Sequence, residues 1–244
     1  MQELPEAMLQ QGFLSVGRST SRDELLGELV RFTQQLGFAT VTATTVIDHF
    51  LGEPEFITVD NTPAAYRESY EDSRDGRADP VMQHCKRQST PIVWDQDTYV
   101  ACGQGAMWEQ QARFGYCAGI AMALHLPEGR HFVFGVERDQ PVPSDPGELT
   151  RVVADLQLFA VLAQDAALRI LVPASPEPGA AALTPRELEA LRWTMEGKTA
   201  WEVGAVLGIS ERTAVLHVNN AMHKLGCVNK HQAVLKALRL GLIR

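Results

Sequence analysis

Hydrophobic and polar positions in the first 171 residues alternate between helical and strand periodicity. A capping pair, Ser21 and Glu24, opens an amphipathic helix that should stop at Gly37. Further helical patterns lie at residues 63–73, from 80 onwards, at 105–114 and at 144–171. Runs rich in β-branched or apolar residues predict strands at 38–47, 54–59, 116–126 and 131–137, with a turn at Gly129. Such an alternation predicts a central sheet with helices on both faces, an α/β/α sandwich.

The predicted helix at residues 144–171 has a wide apolar stripe. Ser144 is its expected cap, with Pro146 just inside the helix. A stripe wider than one face favours packing both on the helix's own sheet and on a second body. Complete burial inside one monomer is the alternative. The apolar positions are Leu149, Val152, Val153, Leu156, Phe159, Val161, Leu162, Ala163, Ala167 and Leu168.

A proline-rich stretch at residues 172–182 lacks any periodic apolar pattern, which is typical of a linker. We therefore expect a first domain at 1–171, a linker at 172–182 and a second domain at 183–244. The second domain predicts four short helices, two of them joined by a Gly-Ile-Ser turn as in a helix-turn-helix. Its start and stop signals are Thr184 with Glu187, Thr199 with Glu202, Ser210, Asn229 with Gln232, and Gly197, Gly208 and Gly226. The expected fold class is α+β, a sandwich followed by a four-helix domain.

The two predicted domains differ in net charge. The chain carries a net charge of −8, yet from Glu177 onward nine Lys or Arg residues face six Glu residues. An acidic body with a basic tail suggests that only the tail binds a polyanion.

Composition narrows the class of protein further. Hydrophobic residues make up 45% of the chain and charged residues 21%, which excludes a disordered chain. The four cysteines form no CxxC pair, so neither a metal site nor a disulfide framework is expected. No apolar run is long enough to span a membrane, and no leader segment is recognisable, so we expect a cytoplasmic protein without membrane partners.

The second helix of the predicted helix-turn-helix has a polar outward face. At 100° per residue, one side of this helix belongs to the core, while Arg212, Leu216, Asn219 and His223 lie on the other. Arg and Asn side chains suit guanine and adenine edges, and basic residues at helix ends suit phosphates. A solvated face on a small helical bundle is the alternative. The candidate DNA contacts are Lys198, Thr199, Ser210, Arg212, Thr213, Val215, Leu216, Asn219, Asn220, His223, Lys224 and Lys230.

This segment resembles the DNA-binding domain of LuxR-type quorum-sensing regulators over its whole length. One departure stands out: the family usually has Lys where this chain has Val215, which removes a DNA contact. The matching positions are Glu187, Leu191, Gly197, Lys198, Thr199, Ile209, Ser210, Thr213, His217, Lys224, Leu225 and Ala233.

The first domain does not have the residues of a receiver domain or of an enzyme. Lys86 is the only lysine before Lys198, and no strand-like run ends in clustered acids. The histidines show no pattern of a nucleophile site or metal site, so no catalytic residue, metal or cofactor is expected.

Aromatic and acidic residues instead mark a binding site. Tyr66 and Tyr70 lie one helical turn apart, followed by Asp79-Pro80-Val81 and by Pro91-Ile92-Val93-Trp94. With Gly37-Phe38 and Gly119, these motifs resemble the acyl-homoserine-lactone-binding domain of the same family. The resemblance implies that Asp79 accepts from the amide N–H of the ligand, that Tyr70 donates to the acyl carbonyl, and that Tyr66 donates to the lactone carbonyl. The implied ligand-binding residues are Thr42, Thr44, Tyr66, Tyr70, Asp79, Val81, Met82, Trp94, Met107, Tyr116 and Ala121.

Three positions depart from the family's usual ligand site. The family has Trp where this chain has Tyr66, and often Tyr where it has Thr62. Several receptors have Ser or Thr near Val133 or Gly135, a donor that is absent here.

Together the two resemblances imply a cytoplasmic, ligand-responsive transcription factor. As a homodimer it would bind an inverted-repeat operator on double-stranded DNA, with RNA polymerase as a further partner. Two alternatives stay open: a receptor without its own synthase that senses another small molecule, and an antagonist that forms mixed dimers with a related regulator.

Overall fold

The computed structural model describes residues 6–48, 53–71, 78–172 and 183–244. The chain divides into two compact units, the first drawn from Met1–Pro173 and the second built on Ala174–Arg244. The predicted linker lies almost entirely outside the described residues. The two units are treated separately below.

Five antiparallel strands form one sheet in the first unit, in the order β2-β1-β5-β4-β3. The longest ladders join β1 to β5 and β5 to β4. Strand β1 alternates buried with half-buried positions because successive side chains point to opposite faces, whereas four consecutive residues of β5, from Phe134 to Glu137, are buried on both faces. The strands are β1 (Thr40–Ile47), β2 (Glu55–Asp60), β3 (Ile92–Trp94), β4 (Ala118–Leu126) and β5 (Arg130–Arg138).

Three helices cover one face of the sheet: α1 (Glu6–Arg18), α2 (Arg22–Gln35) and α7 (Pro146–Leu171). They enclose the main core, where the rings of Phe32 and Phe159 stack with centroids 3.9 Å apart and Phe134 of the sheet packs against Phe159. This core holds the unit together through burial of large apolar side chains.

Four short helices contribute to the opposite side of the unit: α3 (Ala64–Glu71), α4 (Pro80–Arg87), α5 (Gln96–Ala101) and α6 (Gly105–Ala112). Helix α4 contacts β3 and β4, and α5 contacts β3 and α6. A second, separate cluster of buried side chains lies here. The predicted α/β/α sandwich is therefore confirmed.

The long helix α7 begins one residue later than predicted. Asp145, not Ser144, is its N-cap, and the Asp145 carboxylate accepts from the backbone N–H of Glu148. The physical reason is Pro146, which occupies the first helical position and makes the residue directly before it the cap. Half of the stripe predicted on α7 is buried, namely Val152, Leu156, Phe159, Ala163 and Ala167. The rest is half-buried except Val161, which is 45% exposed, and Leu158 outside the predicted stripe is 53% exposed, so the helix is not fully buried in the chain.

Three elements of the first unit were not predicted: α1, β3 and α5. Helix α2 has the predicted cap, since the Ser21 hydroxyl accepts from the backbone N–H of Glu24. The Glu24 carboxylate does not return to Ser21 as in a capping box; it accepts from the backbone N–H and the hydroxyl of Thr20. The other predicted helices and strands are present, with ends shifted by a few residues.

The second unit consists, in its described part, of α8 (Pro185–Met195), α9 (Ala200–Leu207), α10 (Glu211–Lys224) and α11 (Lys230–Arg239). Each predicted cap is present: Thr184, Thr199, Ser210 and Asn229 all accept from a backbone N–H. Gly197, Gly208 and Gly226 have the positive φ expected at helix ends. Among the residues that the structure describes, no helix is long and apolar enough to cross a membrane.

Candidate functional sites

We use the name chamber for the second buried cluster together with the sheet face on the α3–α6 side, which forms its floor. Strand pairing places Thr42, Gly135, Ala121 and Ile92 in one row across four strands. The row beside it consists of Thr40, Glu137, Gly119 and Trp94. A Cβ at Gly119 would lie 2.7 Å from the Trp94 ring, so glycine is needed for the indole to lie against the floor.

Aromatic rings form the walls of the chamber. Tyr66 of α3 stacks on Tyr116 with centroids 4.2 Å apart, and it also contacts Phe114. Trp94 meets Tyr99 of α5 edge to face at 5.8 Å. Binding sites for small molecules are mostly apolar with a few placed polar groups, and this cluster has that character.

Asp79 has a structural role as well as its predicted binding role. It is the N-cap of α4, where its Oδ1 accepts from the backbone N–H groups of Val81 and Met82 at 2.8 and 3.2 Å. The Tyr99 hydroxyl donates to the same oxygen at 3.4 Å. Asp79 is buried. Burial raises the pKa of the neighbouring Cys85 thiol to about 11, and the Asp79 carboxylate contributes a smaller part of this rise. That thiol is therefore unreactive near neutral pH.

Most of the predicted ligand-binding residues come together in the second cluster. Thr42 and Thr44 lie on the floor face of β1, and Thr44 shares a hydrogen bond with Thr58. Met82 is half-buried on α4, and the side chain of Tyr70 lies outside the described part of the structure. The predicted residues that share the cluster are Tyr66, Val81, Trp94, Met107, Tyr116 and Ala121.

Two chamber residues escaped the sequence analysis. Tyr99 lies on a six-residue helix, which is too short to show a helical period in its hydrophobic positions. Glu137 lies on the floor face of β5, where Val133 and Gly135 precede it at every second position; this alternation was the signal that could have found it.

Glu137 is a buried acid. It is 9% exposed, and its Oε2 accepts from the Thr40 hydroxyl at 2.8 Å. Burial raises the pKa of this carboxyl to about 7; the hydrogen bond from Thr40 lowers it, and the Asp60 carboxylate raises it slightly. Burial likewise raises the pKa of the nearby Tyr116 phenol. The carboxyl therefore changes protonation state near neutral pH.

The four side chains predicted to lie on the outward face of α10 are all exposed. Ala214, Ala221 and Leu225 are buried, whereas Arg212 and Asn219 are exposed. Leu216 is 54% exposed, an unusual position for a leucine unless the face has a partner. The other candidates that are exposed are Lys198, Thr199, Ser210, Val215, Asn220, His223 and Lys230, and Thr213 is half-buried.

Lys224, one of the DNA candidates, forms an ion pair within the second unit. Its ammonium lies 2.8 Å from Oε2 of Glu187, which is 3% exposed and also completes the capping box of α8. Although burial raises the pKa of Glu187, the hydrogen bonds from Lys224 and Thr184 outweigh it, and the net shift is downward. The pair links the end of α10 to the start of α8.

The turn between α9 and α10 is held by a close backbone approach. A Cβ at Gly204 would lie 2.9 Å from the Ile209 carbonyl oxygen and 3.1 Å from the Glu211 nitrogen. Glycine therefore lets α9 contact the turn directly, and this contact sets the position of the first turn of α10. A basic second helix fixed in this way can enter a DNA major groove.

Two family profiles match the chain. The "autoinducer binding domain" matches residues 21–167, and "bacterial regulatory proteins, luxR family" matches residues 181–237. These ranges cover the chamber and the four-helix unit.

Relatives match across nearly the whole chain. The transcriptional activator SolR of Ralstonia nicotianae is 33% identical over 92% of this chain and 94% of its own. The quorum sensing-dependent transcriptional regulator RpaR of Rhodopseudomonas palustris is 32% identical over 79% of this chain and 77% of its own.

A solved structure of Escherichia coli SdiA covers 98% of both chains with a TM-score of 0.74 and 25% identity. SdiA has also been solved with octanoyl-rac-glycerol, with the same TM-score and identity. Family members of this kind are transcriptional regulators and not enzymes. With its autoinducer-binding domain and its helix-turn-helix, the chain belongs to the LuxR family of quorum-sensing transcriptional regulators.

Proposed function

We propose that the chamber binds an N-acyl-homoserine lactone and that this ligand controls DNA binding. The observation that carries the proposal is the single buried cluster that contains six of the predicted ligand-binding residues. In the proposed complex Asp79 accepts from the ligand amide, Tyr70 donates to the acyl carbonyl, and Tyr66 donates to the lactone carbonyl. The small residues of the floor leave space for the acyl chain.

The capping role of Asp79 is compatible with ligand binding. An ionised carboxylate accepts several hydrogen bonds at once, so α4 and a ligand N–H can share it. The cap also fixes the orientation of the carboxylate before the ligand arrives, which lowers the entropic cost of binding.

Replacing Asp79 with Asn tests the proposal without removing the cap, because Asn caps helices as well as Asp does. The change exchanges a charged acceptor for a neutral one. Charge-assisted hydrogen bonds contribute roughly 1.5–3 kcal/mol against about 1 for neutral ones, so sensitivity to the ligand should fall about tenfold. A panel of N-acyl-homoserine lactones in a reporter assay measures this, and a thermal shift of the purified chain checks folding.

A matched control is Asp145→Asn, which alters the exposed cap of α7 and should respond like the parent. Tyr66→Trp restores the residue that the family usually has, so the response to a lactone should hold or improve. If Asp79→Asn responds like the parent while Tyr66→Trp responds to no lactone, the ligand is not an acyl-homoserine lactone.

We further propose a cytoplasmic homodimer that binds an inverted repeat and contacts RNA polymerase. One recognition helix reads one half-site, so two copies are needed for a repeat. The exposed Leu158 and Val161 on α7 support a contact between copies.

The antagonist hypothesis keeps one supporting observation. Val215 is 41% exposed on the outward face of α10, where the family usually has Lys. An antagonist that acts through mixed dimers should bind duplex DNA only weakly and without sequence preference, which a salt titration of binding detects.

A further inference from the structure

Polar side chains from several neighbouring segments meet at one end of the chamber floor. Glu137 and Tyr116 are both more than nine-tenths buried there. Asp60 and Thr62 lie close enough to influence the Tyr116 phenol, as do Thr40 and Glu137 themselves. The ring of Tyr66 stacks on the ring of Tyr116, so Tyr66 covers this end of the chamber.

The Tyr116 hydroxyl is buried without a hydrogen-bond partner among the described residues. Neither Thr40 nor Thr62 reaches it with the geometry of a hydrogen bond. A buried hydroxyl without a partner is destabilising by about 1–3 kcal/mol, and such groups are rare in folded proteins unless they serve a ligand.

The Glu137 carboxyl leans along the floor. Its Oε2 is held by Thr40, whereas its Oε1 lies 3.0 Å from the position that a Cβ on residue 135 would occupy. Because residue 135 is glycine, the carboxyl of Glu137 extends over the neighbouring row of floor residues, which consists of Thr42, Gly135, Ala121 and Ile92.

We propose that Glu137 and Tyr116 form a second polar contact for the ligand and select molecules with a hydroxyl group at the head-group end of the chamber. A hydroxyl both donates and accepts, so it can donate a hydrogen bond to the Glu137 carboxylate and accept one from the Tyr116 hydroxyl. An ether oxygen at the same place satisfies Tyr116 but offers no donor to Oε1 of the carboxylate, whose Oε2 is already hydrogen-bonded to Thr40. This inference rests on the proposed function, since it requires that the chamber binds an acyl ligand.

Paired amide probes isolate the hydroxyl. N-(2-hydroxyethyl)octanamide and N-(2-methoxyethyl)octanamide share the acyl chain and the amide, and only the first carries a hydroxyl; dodecanoyl versions test a longer chain. At a pH about one unit above the Glu137 pKa of about 7 the carboxyl is ionised. There, calorimetric titration of the full purified chain should show the hydroxyl probe binding about tenfold more tightly than its methyl ether, the effect of one hydrogen bond to a charged group.

Glu137→Met should abolish this preference, because it removes the carboxyl oxygens at similar length and leaves the hydroxyl probe without its acceptor. The affinity ratio between the two probes should then fall to about one or two. Tyr116→Phe removes the donor that both probes use, so it should weaken both and leave their ratio unchanged. Tyr99→Phe is the control: it removes a buried hydroxyl near Asp79, so it should change the affinity for both probes equally and leave their ratio unchanged.

The outcomes separate the two levels of the argument. Equal binding of both probes to the parent, a ratio that survives in Glu137→Met, or unchanged affinities in Tyr116→Phe overturns the hydroxyl assignment and leaves the acyl-ligand function intact. If the parent binds neither probe at either chain length, nor any N-acyl-homoserine lactone, the proposed function itself fails.

Discussion

Glu137 links the chemistry of one residue to the pH dependence of stability. Its folded pKa of about 7 lies above the ordinary value of 4.5, so the folded chain holds this proton more tightly than the unfolded chain. The contribution to the free energy of unfolding is therefore fully present below about pH 4.5 and is lost as the pH rises to about 7.

Glu137→Gln removes this titration and should leave the hydrogen bond to Thr40 possible. Relative to the variant, the parent should lose stability between about pH 4.5 and pH 7 and then keep a constant difference. Urea unfolding of the ligand-free proteins across this interval measures the difference. Parallel stability curves would show that the carboxyl is not buried in the folded state. Asp60 and Tyr116 are unchanged in both proteins, so their effects largely cancel.

At the residue scale, the sequence identified the residues that belong to motifs. Tyr66, Asp79 and Trp94 were recognisable because each has fixed neighbours along the chain. Glu137 was not, because an acid on a strand normally faces solvent; its alternation with Val133 and Gly135 was the available signal, and the register with β1 and β4 shows that it lies on the floor face. The capping role of Asp79 was not predicted either, although Pro80 directly after it was a signal for a cap.

Among the elements, those with explicit start and stop signals were predicted, and the short ones were not. Helices α8 to α11 have cap residues or terminal glycines that fix their ends locally. Strand β3 has three residues and α5 has six, which is too short for a period to appear. Helix α1 carries Gly12 and Gly17 in its interior, and both weaken a helical signal.

The contact between α9 and the following turn gives a prediction at the element scale. Gly204→Ala places a methyl group against the backbone of Ile209 and Glu211, which cannot move aside as a flexible side chain would. The second unit should lose about 1–3 kcal/mol of stability, and DNA binding should weaken because the start of α10 shifts. Thermal unfolding and a DNA-binding assay measure the two effects.

Gly27→Ala is the matched control for that substitution. Gly27 lies inside α2 with no atom within 4 Å of an added Cβ. Alanine should therefore stabilise α2 by about 0.5–1 kcal/mol through its better helix propensity. If Gly204→Ala is equally well tolerated, the close approach does not position the turn.

For the whole molecule, the division of charge separates sensing from DNA binding. The chain as a whole is acidic, with a net charge of −8, while the residues from Glu177 onward contain more basic than acidic side chains. A polyanion should therefore be attracted to the second unit alone. Within that unit Lys224 is already paired with Glu187, which leaves Arg212 and the exposed Lys198 and Lys230 as the stronger candidates for phosphate or base contacts.

Substitutions on α10 test this division on the full chain. Duplexes selected from a random pool by the parent protein provide the specific site. Arg212→Ala and Asn219→Ala should each weaken binding to that site by about 1–3 kcal/mol without lowering thermal stability, because both side chains are exposed. Arg186→Ala, on the exposed side of α8 and paired with Glu189, is the control and should bind like the parent.

Val215→Lys adds a cation to the outward face of α10, so it should tighten binding and steepen the dependence of the binding constant on salt by about one counterion. An unchanged salt slope in Val215→Lys, together with normal footprints for both alanine variants, would mean that this face of α10 does not meet DNA.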